Sequence, residues 1–439
     1  MKFKIAVLII LLPYISLFAQ IEELPFIRGY VPLGDAQTAA RGGVSMGIGG
    51  AGALLGNPAG LGLTRESQVD FSFSQYSFEN TAQFWNSANN TEGTTTRLSS
   101  AALAMPVPTT RGSFVIGMAF NRIRNFENEL YGEYLNMSVG DSLDQTYGIY
   151  TSGGLTRTDF GASLEVSPGF FLGGALNIYA GNDDYSVRFT ESDLPFNIWN
   201  FDAYEENTSI QTDYSGVAIS GGVLYRVSDK ATFGFSLTSP LTLVCKEDWS
   251  YSAQTTWDDG VTTLDTADNG YSEYKVQRPL KLRGGGSFRV GPLTLYADVV
   301  FNNYSQIEYK TDPPVGGTGR TATNMEIRKQ LSDRMDYNLG GEFELPGLPL
   351  VLRAGYAVQQ SPYEKDEQYR DREIMTFGCG FKVTEQARFN ISMAKTTWTR
   401  RPYSYEPYVW DQYYLADIIE IQKDEMSITN IKAGISYTF

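Results

Sequence analysis

The commonest enzymatic chemistry needs an imidazole, and none of the 439 residues is a histidine. Ser–His, Cys–His and Asp–His catalysis are therefore excluded, along with the commonest ligand of zinc, copper and haem. No metal, no cofactor and no enzymatic activity are expected. Two cysteines, Cys245 and Cys379, cannot make a disulfide scaffold. Gly47-Ile48-Gly49-Gly50-Ala51-Gly52 matches GxGxxG. A dinucleotide reading would need a βαβ unit and a compartment holding nucleotide, and the surrounding sequence offers neither. What remains is charge placed at strand spacing. Inward positions would carry Arg226, Lys246, Lys281, Arg283, Arg289, Arg353, Lys382, Arg388 and Lys432 against Asp159, Glu165, Asp298, Glu342 and Glu344. Of these, Arg283, Asp298, Glu342 and Arg353 fall on four successive strands and could form one network. The chain as a whole has 35 basic and 50 acidic residues, a net charge of −15, so the acid must sit in the connections. Nucleic acid is not an expected partner, because nothing would neutralise its phosphates.

The elements that place these charges alternate with period two. Phe114, Ile116, Met118 and Phe120 share one face of their segment, and Val217, Ile219, Val223, Tyr225 and Val227 share one face of theirs. In 232–243 the apolar face carries Phe233, Phe235, Leu237, Leu241 and Leu243, which would extend lipid-facing parity to Cys245. The opposite faces are small or polar. Fourteen strands are read, near 69–79, 97–107, 112–125, 158–167, 170–182, 213–228, 231–247, 272–290, 292–309, 334–345, 348–360, 372–383, 386–399 and 426–439. Six connections are tight turns such as Ser167-Pro168-Gly169 and Gly291-Pro292. The other seven are long, near 80–96, 126–157, 183–212, 248–271, 310–333, 361–371 and 400–425. Short and long alternate strictly, the mark of an outer-membrane barrel with short periplasmic turns and long outer loops. Before the strands, Lys2 and Lys4, the apolar run Ile5–Leu12 and Ser16-Leu17-Phe18-Ala19 read as a signal peptide over 1–19. The run is too short to span a bilayer as a helix. The fold expected is all-β: a 14-stranded antiparallel transmembrane barrel over 69–439 that closes on a C-terminal Phe439.

Residues 20–68 precede the first strand, and nine of the twenty-two residues in Arg41–Gly62 are glycine. Such a segment can fold compactly in a lumen too wide for wall side chains to fill. Gly34-Asp35-Ala36-Gln37-Thr38-Ala39-Ala40-Arg41-Gly42-Gly43, then Gly56-Asn57-Pro58-Ala59-Gly60-Leu61, resembles the N-terminal hatch of the FadL/TodX family. Related fourteen-stranded barrels of PorV-like type carry similar text. Gly47–Leu55 lacks the acidic pair usual in family hatches.

The resemblance implies a passive channel in the outer membrane of a Gram-negative bacterium for long-chain fatty acids or aromatic hydrocarbons. Cargo would be captured at the outer loops and leave sideways, with hatch movement at Asn57, Pro58 and Ala59. Those three residues could equally form a simple turn. Arg283 or Arg353 would hold a fatty-acid carboxylate, unless the lumen charges satisfy one another. Phe196, Ile198, Trp199 and Phe201 would form a capture surface or a packing core for the loop. A terminal strand ending in Phe439 resembles the signal read by the outer-membrane assembly machinery. Acidic loops could bind cations bridging lipopolysaccharide. The alternative is a PorV-like barrel serving as a secretion or attachment scaffold without transport.

Overall fold

The computed structural model describes residues 24–84, 87–136, 142–194, 200–314, 319–364, 371–400 and 424–439. The proposed signal peptide lies outside them. The strands are β1 Gln68–Phe84, β2 Ser87–Val107, β3 in two segments (Phe114–Asn125 and Asn128–Asn136), β4 Leu143–Ser167, β5 Phe170–Asp193 and β6 Phe201–Arg226. Then come β7 in two segments (Ala231–Thr238 and Leu241–Trp257), β8 in two (Thr262–Arg278 and Lys281–Val290) and β9 Leu293–Asn302. The last are β10 Arg334–Glu344, β11 Leu350–Gln359, β12 Arg372–Lys382, β13 Ala387–Arg400 and β14 Asp424–Thr438. Each pairs antiparallel with its neighbour, and β1 closes on β14 with Gln68 opposite Thr438. The result is a closed barrel of fourteen strands. Closure removes every sheet edge within the wall, which lets strands cross lipid.

The outward faces form an apolar belt to which every strand contributes. Phe73, Leu98, Ile116, Phe160, Leu172, Ile219, Phe235, Phe288, Leu295, Leu339, Leu352, Phe377, Ile391 and Ile435 are all exposed. On a water-soluble protein a patch of this extent would be a liability; around a barrel it is the lipid contact. Phe439, whose backbone N–H donates to Ser67 O at 2.9 Å, stacks on Tyr437 at the rim.

Two expectations are corrected. Four of the seven long connections are chiefly strand: β1 and β2 reach Phe84 and Ser87, β3 and β4 reach Asn136 and Leu143, β5 and β6 reach Asp193 and Phe201, and β7 and β8 reach Trp257 and Thr262. The apolar face ends where the membrane ends, while the backbone ladder continues into water. The connection 310–333 also holds a helix, Arg320–Gln330.

The second correction concerns parity. Phe233, Phe235 and Leu237 face outward as expected, but Leu241, Leu243 and Cys245 are buried inside and Lys246 is exposed. The cause is Ser239-Pro240. On β6, Val217 pairs with Thr242 and Ser220 with Thr238, so three steps of β6 match four of β7. This one-residue excess is a bulge, which inverts the faces beyond it. Pro279-Leu280 makes the matching interruption in β8, with Leu241 opposite Arg278 above it and Thr238 opposite Lys281 below. Neither proline can donate to a ladder.

Candidate functional site

Leu24–Thr64 lies against inward-facing wall residues. It holds a helix, Ala36–Ala40, capped by Asp35 accepting from Thr38 N at 2.7 Å, and two 3-10 helices, Ala51–Leu55 and Pro58–Leu63. No βαβ unit surrounds the GxGxxG text, since Gly47–Gly52 runs from a turn into the first 3-10 helix. A segment so poor in ladder bonds leaves carbonyls to be satisfied by the wall. Six wall hydroxyls do so: Ser99 donates to Gly34 O, Ser113 to Gly62 O, Ser163 to Ala59 O, Ser236 to Gly56 O, Ser287 to Gly47 O and Thr376 to Ala40 O, at 2.7–3.2 Å. Arg157 adds Leu54 O and Leu55 O, and Lys432, buried, donates to Gly34 O.

Asn57, Pro58 and Ala59 sit where this seat is tightest. Asn57 caps the second 3-10 helix through Ala59 N at 3.1 Å and donates through Nδ2 to Val223 O at 2.9 Å. Any Cβ on Gly173 of β5 would overlap the Ala59 backbone. Across the lumen, a Cβ on Gly355 of β11 would likewise overlap Gly42. Wall glycine is required at both places because two backbones meet there.

The four charges expected to form one network form two, each tied to the N-terminal segment. Asp298 accepts from Ser45 N at 2.5 Å and from Met46 N at 3.0 Å, and Arg283 donates to Ser45 Oγ at 3.2 Å. Separately, Arg353 Nε pairs with Glu342 at 2.6 Å and its Nη1 donates to Asn390 at 3.0 Å, with Arg41 3.7 Å from the same carboxylate. The Arg353 side chain has no exposed surface.

Arg283, by contrast, lines a cavity of about 270 Å³ on the side of the long connections. The walls carry Phe26, Tyr30, Tyr76, Phe126, Tyr179, Tyr304 and Trp398, together with Arg28, Arg124, Arg157, Arg278, Lys281 and Arg372. Arg372 lies 4.7 Å over Trp398, and Arg278 lies 5.9 Å over Phe26. Arg278 escapes a parity reading because the bulge turns it inward; Pro240 and Pro279, within otherwise regular strands, are the signal that could have found it. A second cavity of about 270 Å³ on the side of the short turns is polar, lined by Asp35, Arg41, Gln68, Asp70, Glu342 and Ser436. Phe196, Ile198 and Trp199 lie outside the described residues. Phe201 opens β6 opposite Trp257.

A family model described as outer membrane protein transport protein (OMPP1/FadL/TodX) matches residues 34–404. The chain belongs to this family. Its members are outer-membrane transporters of hydrophobic compounds, which places this FadL/TodX chain in the outer membrane of a Gram-negative bacterium. The toluene transporter TodX of P. putida superposes with a TM-score of 0.61 at 14% identity, over 94% of this chain and 99% of that one. A Pseudomonas aeruginosa FadL homologue gives 0.61 at 12% identity over 94% and 99%. The Ralstonia pickettii toluene transporter TbuX gives 0.54 at 13% identity, again over 94% and 99%. At such identities the likeness carries the fold. A search of curated protein sequences gave no match.

Proposed function

We propose that this chain is a passive channel admitting hydrophobic compounds with an acidic end, long-chain fatty acids foremost. The observation that carries the reading is the outer cavity, which joins an aromatic lining to a surplus of cations. Aromatic faces accept an acyl chain, and a guanidinium such as Arg283 accepts its carboxylate. Arg353 is paired within the wall to Glu342, whose carboxylate also meets Arg41 of the hatch at 3.7 Å. The polar cavity beneath offers an apolar tail nothing, so cargo leaves sideways rather than into the periplasm.

The interruption of β3 at Phe126-Glu127 borders the outer cavity and supplies an exit. The hatch covers it: Tyr30 and Asn125 exchange both backbone hydrogen bonds at 2.9 Å, and Arg124 donates to the carbonyls of Phe26, Ile27 and Arg28. Gating is movement of residues 24–33 off β3. This moves the gate away from Asn57-Pro58-Ala59, the motif expected from the sequence to move, since Val223 O and Ser163 hold that motif to the wall. Capture by Phe196, Ile198, Trp199 and Phe201, and assembly through Phe439, belong to the same proposal.

The test is uptake of a labelled long-chain fatty acid by cells lacking their own fatty-acid channel, with folding checked by heat-modifiable gel mobility. Uptake above empty vector is expected. Its absence from a folded barrel, for fatty acids and toluene alike, would overturn the reading in favour of a scaffold.

A further inference from the structure

The interruption at Pro279-Leu280 does more than bend a strand. Inward positions on β8 run Val276, Arg278, then Lys281 and Arg283, so one bulge sets three cations in succession on one wall of the outer cavity. Among the described residues none of the three has a carboxylate within 4.0 Å. Arg278 Nε and Nη2 are buried with no hydrogen-bond partner. Among the described residues the Lys281 side chain makes no hydrogen bond, and the Arg283 side chain makes one, to the Ser45 hydroxyl. Facing them, Arg124 spends its donors on hatch carbonyls.

The nearby acids are few. Asp336 lines the cavity and accepts from Asn302 at 2.7 Å and from Gln360 N at 3.1 Å. Asp298 is occupied by Ser45 and Met46. The other cavity cations Arg28 and Arg157 have their own partners in Asp183 and Asp159. Glu127, also in the lining, is paired with Arg97 at 2.7 Å. Arg124, Arg278, Lys281 and Arg283 therefore face two carboxylates, a surplus of two. Inside a membrane barrel, unmatched charge of this size is costly and calls for a counter-ion. A hydrocarbon supplies none, and a fatty acid supplies one charge.

We propose that Arg278, Lys281 and Arg283 form a headgroup site for a single-chain amphiphile with a dianionic phosphomonoester end, its tail lying along the aromatic lining near Phe26 and Tyr304. Three phosphate oxygens match three cationic side chains lining one wall of the cavity, which one carboxylate cannot do. This rests on the channel reading and narrows its substrate class.

The test uses the full barrel in nanodiscs and calorimetric titration with octyl phosphate, octanoate, octyl sulfate and inorganic phosphate. Octyl phosphate should bind at least 10-fold more tightly than octanoate at pH 8, and inorganic phosphate far more weakly than either. Phosphomonoesters gain their second charge near pH 6, so octyl phosphate should lose about 10-fold between pH 8 and pH 5 while octyl sulfate stays level. Arg278→Gln and, separately, Lys281→Gln should each lower octyl phosphate affinity about 10-fold, with outward-facing Lys246→Gln as the unchanged control. Octanoate binding as tightly as octyl phosphate would overturn the dianion site and leave the channel standing. Inorganic phosphate matching octyl phosphate would overturn recognition of an amphiphile. Failure of every alkyl ligand, together with failed uptake, would instead overturn the channel reading itself.

Discussion

Arg283 and Arg353 look equivalent in the sequence, each an inward arginine one strand from an inward acid, yet they hold opposite positions. Arg353 is enclosed by Glu342 and Asn390 with Arg41 close by, so its charge is already answered. Among the described residues Arg283 reaches only a serine hydroxyl, and it borders open cavity. Substitution should separate them. Arg353→Met leaves the Glu342 carboxylate nearly buried beside Arg41 alone, and breaking a buried pair in this way costs about 3–5 kcal/mol. The denaturant midpoint of heat-modifiable mobility should fall accordingly, with fatty-acid affinity of the folded fraction retained. Arg283→Gln should do the reverse: stability changes little, while fatty-acid affinity drops about 10-fold, roughly 1.4 kcal/mol, and toluene affinity stays level. Equal loss for both ligands would show that Arg283 shapes the cavity without holding a carboxylate. What the sequence could not disclose is which arginine has its partner, because pairing depends on where Arg41 and Ser45 of the hatch dock.

Strands were legible wherever the wall meets lipid, since Ile116 and Met118 or Val217 and Ile219 must face outward together. Their extensions beyond the membrane were not, because a strand wetted on both faces, such as Ser87–Arg97, has no apolar period to read. Face assignment failed above Ser239-Pro240, where an extra residue carried Cys245 inward and Lys246 outward, and above Pro279-Leu280, where Arg278 turned inward. The N-terminal segment stood out in the sequence by its glycines, but its pairing with β3 did not, since Tyr30 and Asn125 carry no pattern that announces a single bridge. That bridge gives the gating proposal its sharpest test. A pair exchanging both backbone hydrogen bonds has Cα atoms about 5.5 Å apart, within disulfide range. With Cys245 and Cys379 first replaced by serine, Tyr30→Cys with Asn125→Cys should form a bond that cuts fatty-acid uptake at least 10-fold, and dithiothreitol should restore it. Full uptake through the oxidised form would mean that residues 24–33 need not leave β3.

At the scale of the whole molecule, wall and hatch solve separate problems. The wall closes on itself through β1 and β14 and needs nothing from the lumen to complete its ladders. Fourteen strands nonetheless enclose more space than wall side chains fill, and the inner surface is polar: Ser113, Ser163, Ser236, Asp159 and Asn177 are all buried there. Removing residues 24–64 should therefore leave a barrel that still inserts and still shows heat-modifiable mobility, because water can take over the hydrogen bonds that wall hydroxyls make to hatch carbonyls. The hydrated lumen would then be an open pore. Planar-bilayer recordings should show steady conductance for the truncated barrel and none for the full chain. Cells carrying the truncated form should become sensitive to large hydrophilic antibiotics that the outer membrane excludes. Fatty-acid uptake should lose its saturation, since Phe26, Tyr30 and Arg28 leave with the hatch and the outer cavity loses one wall. A truncated barrel that folds but stays closed would show that the outer strand extensions alone seal the lumen, and the hatch would then act in ligand handling rather than as the barrier.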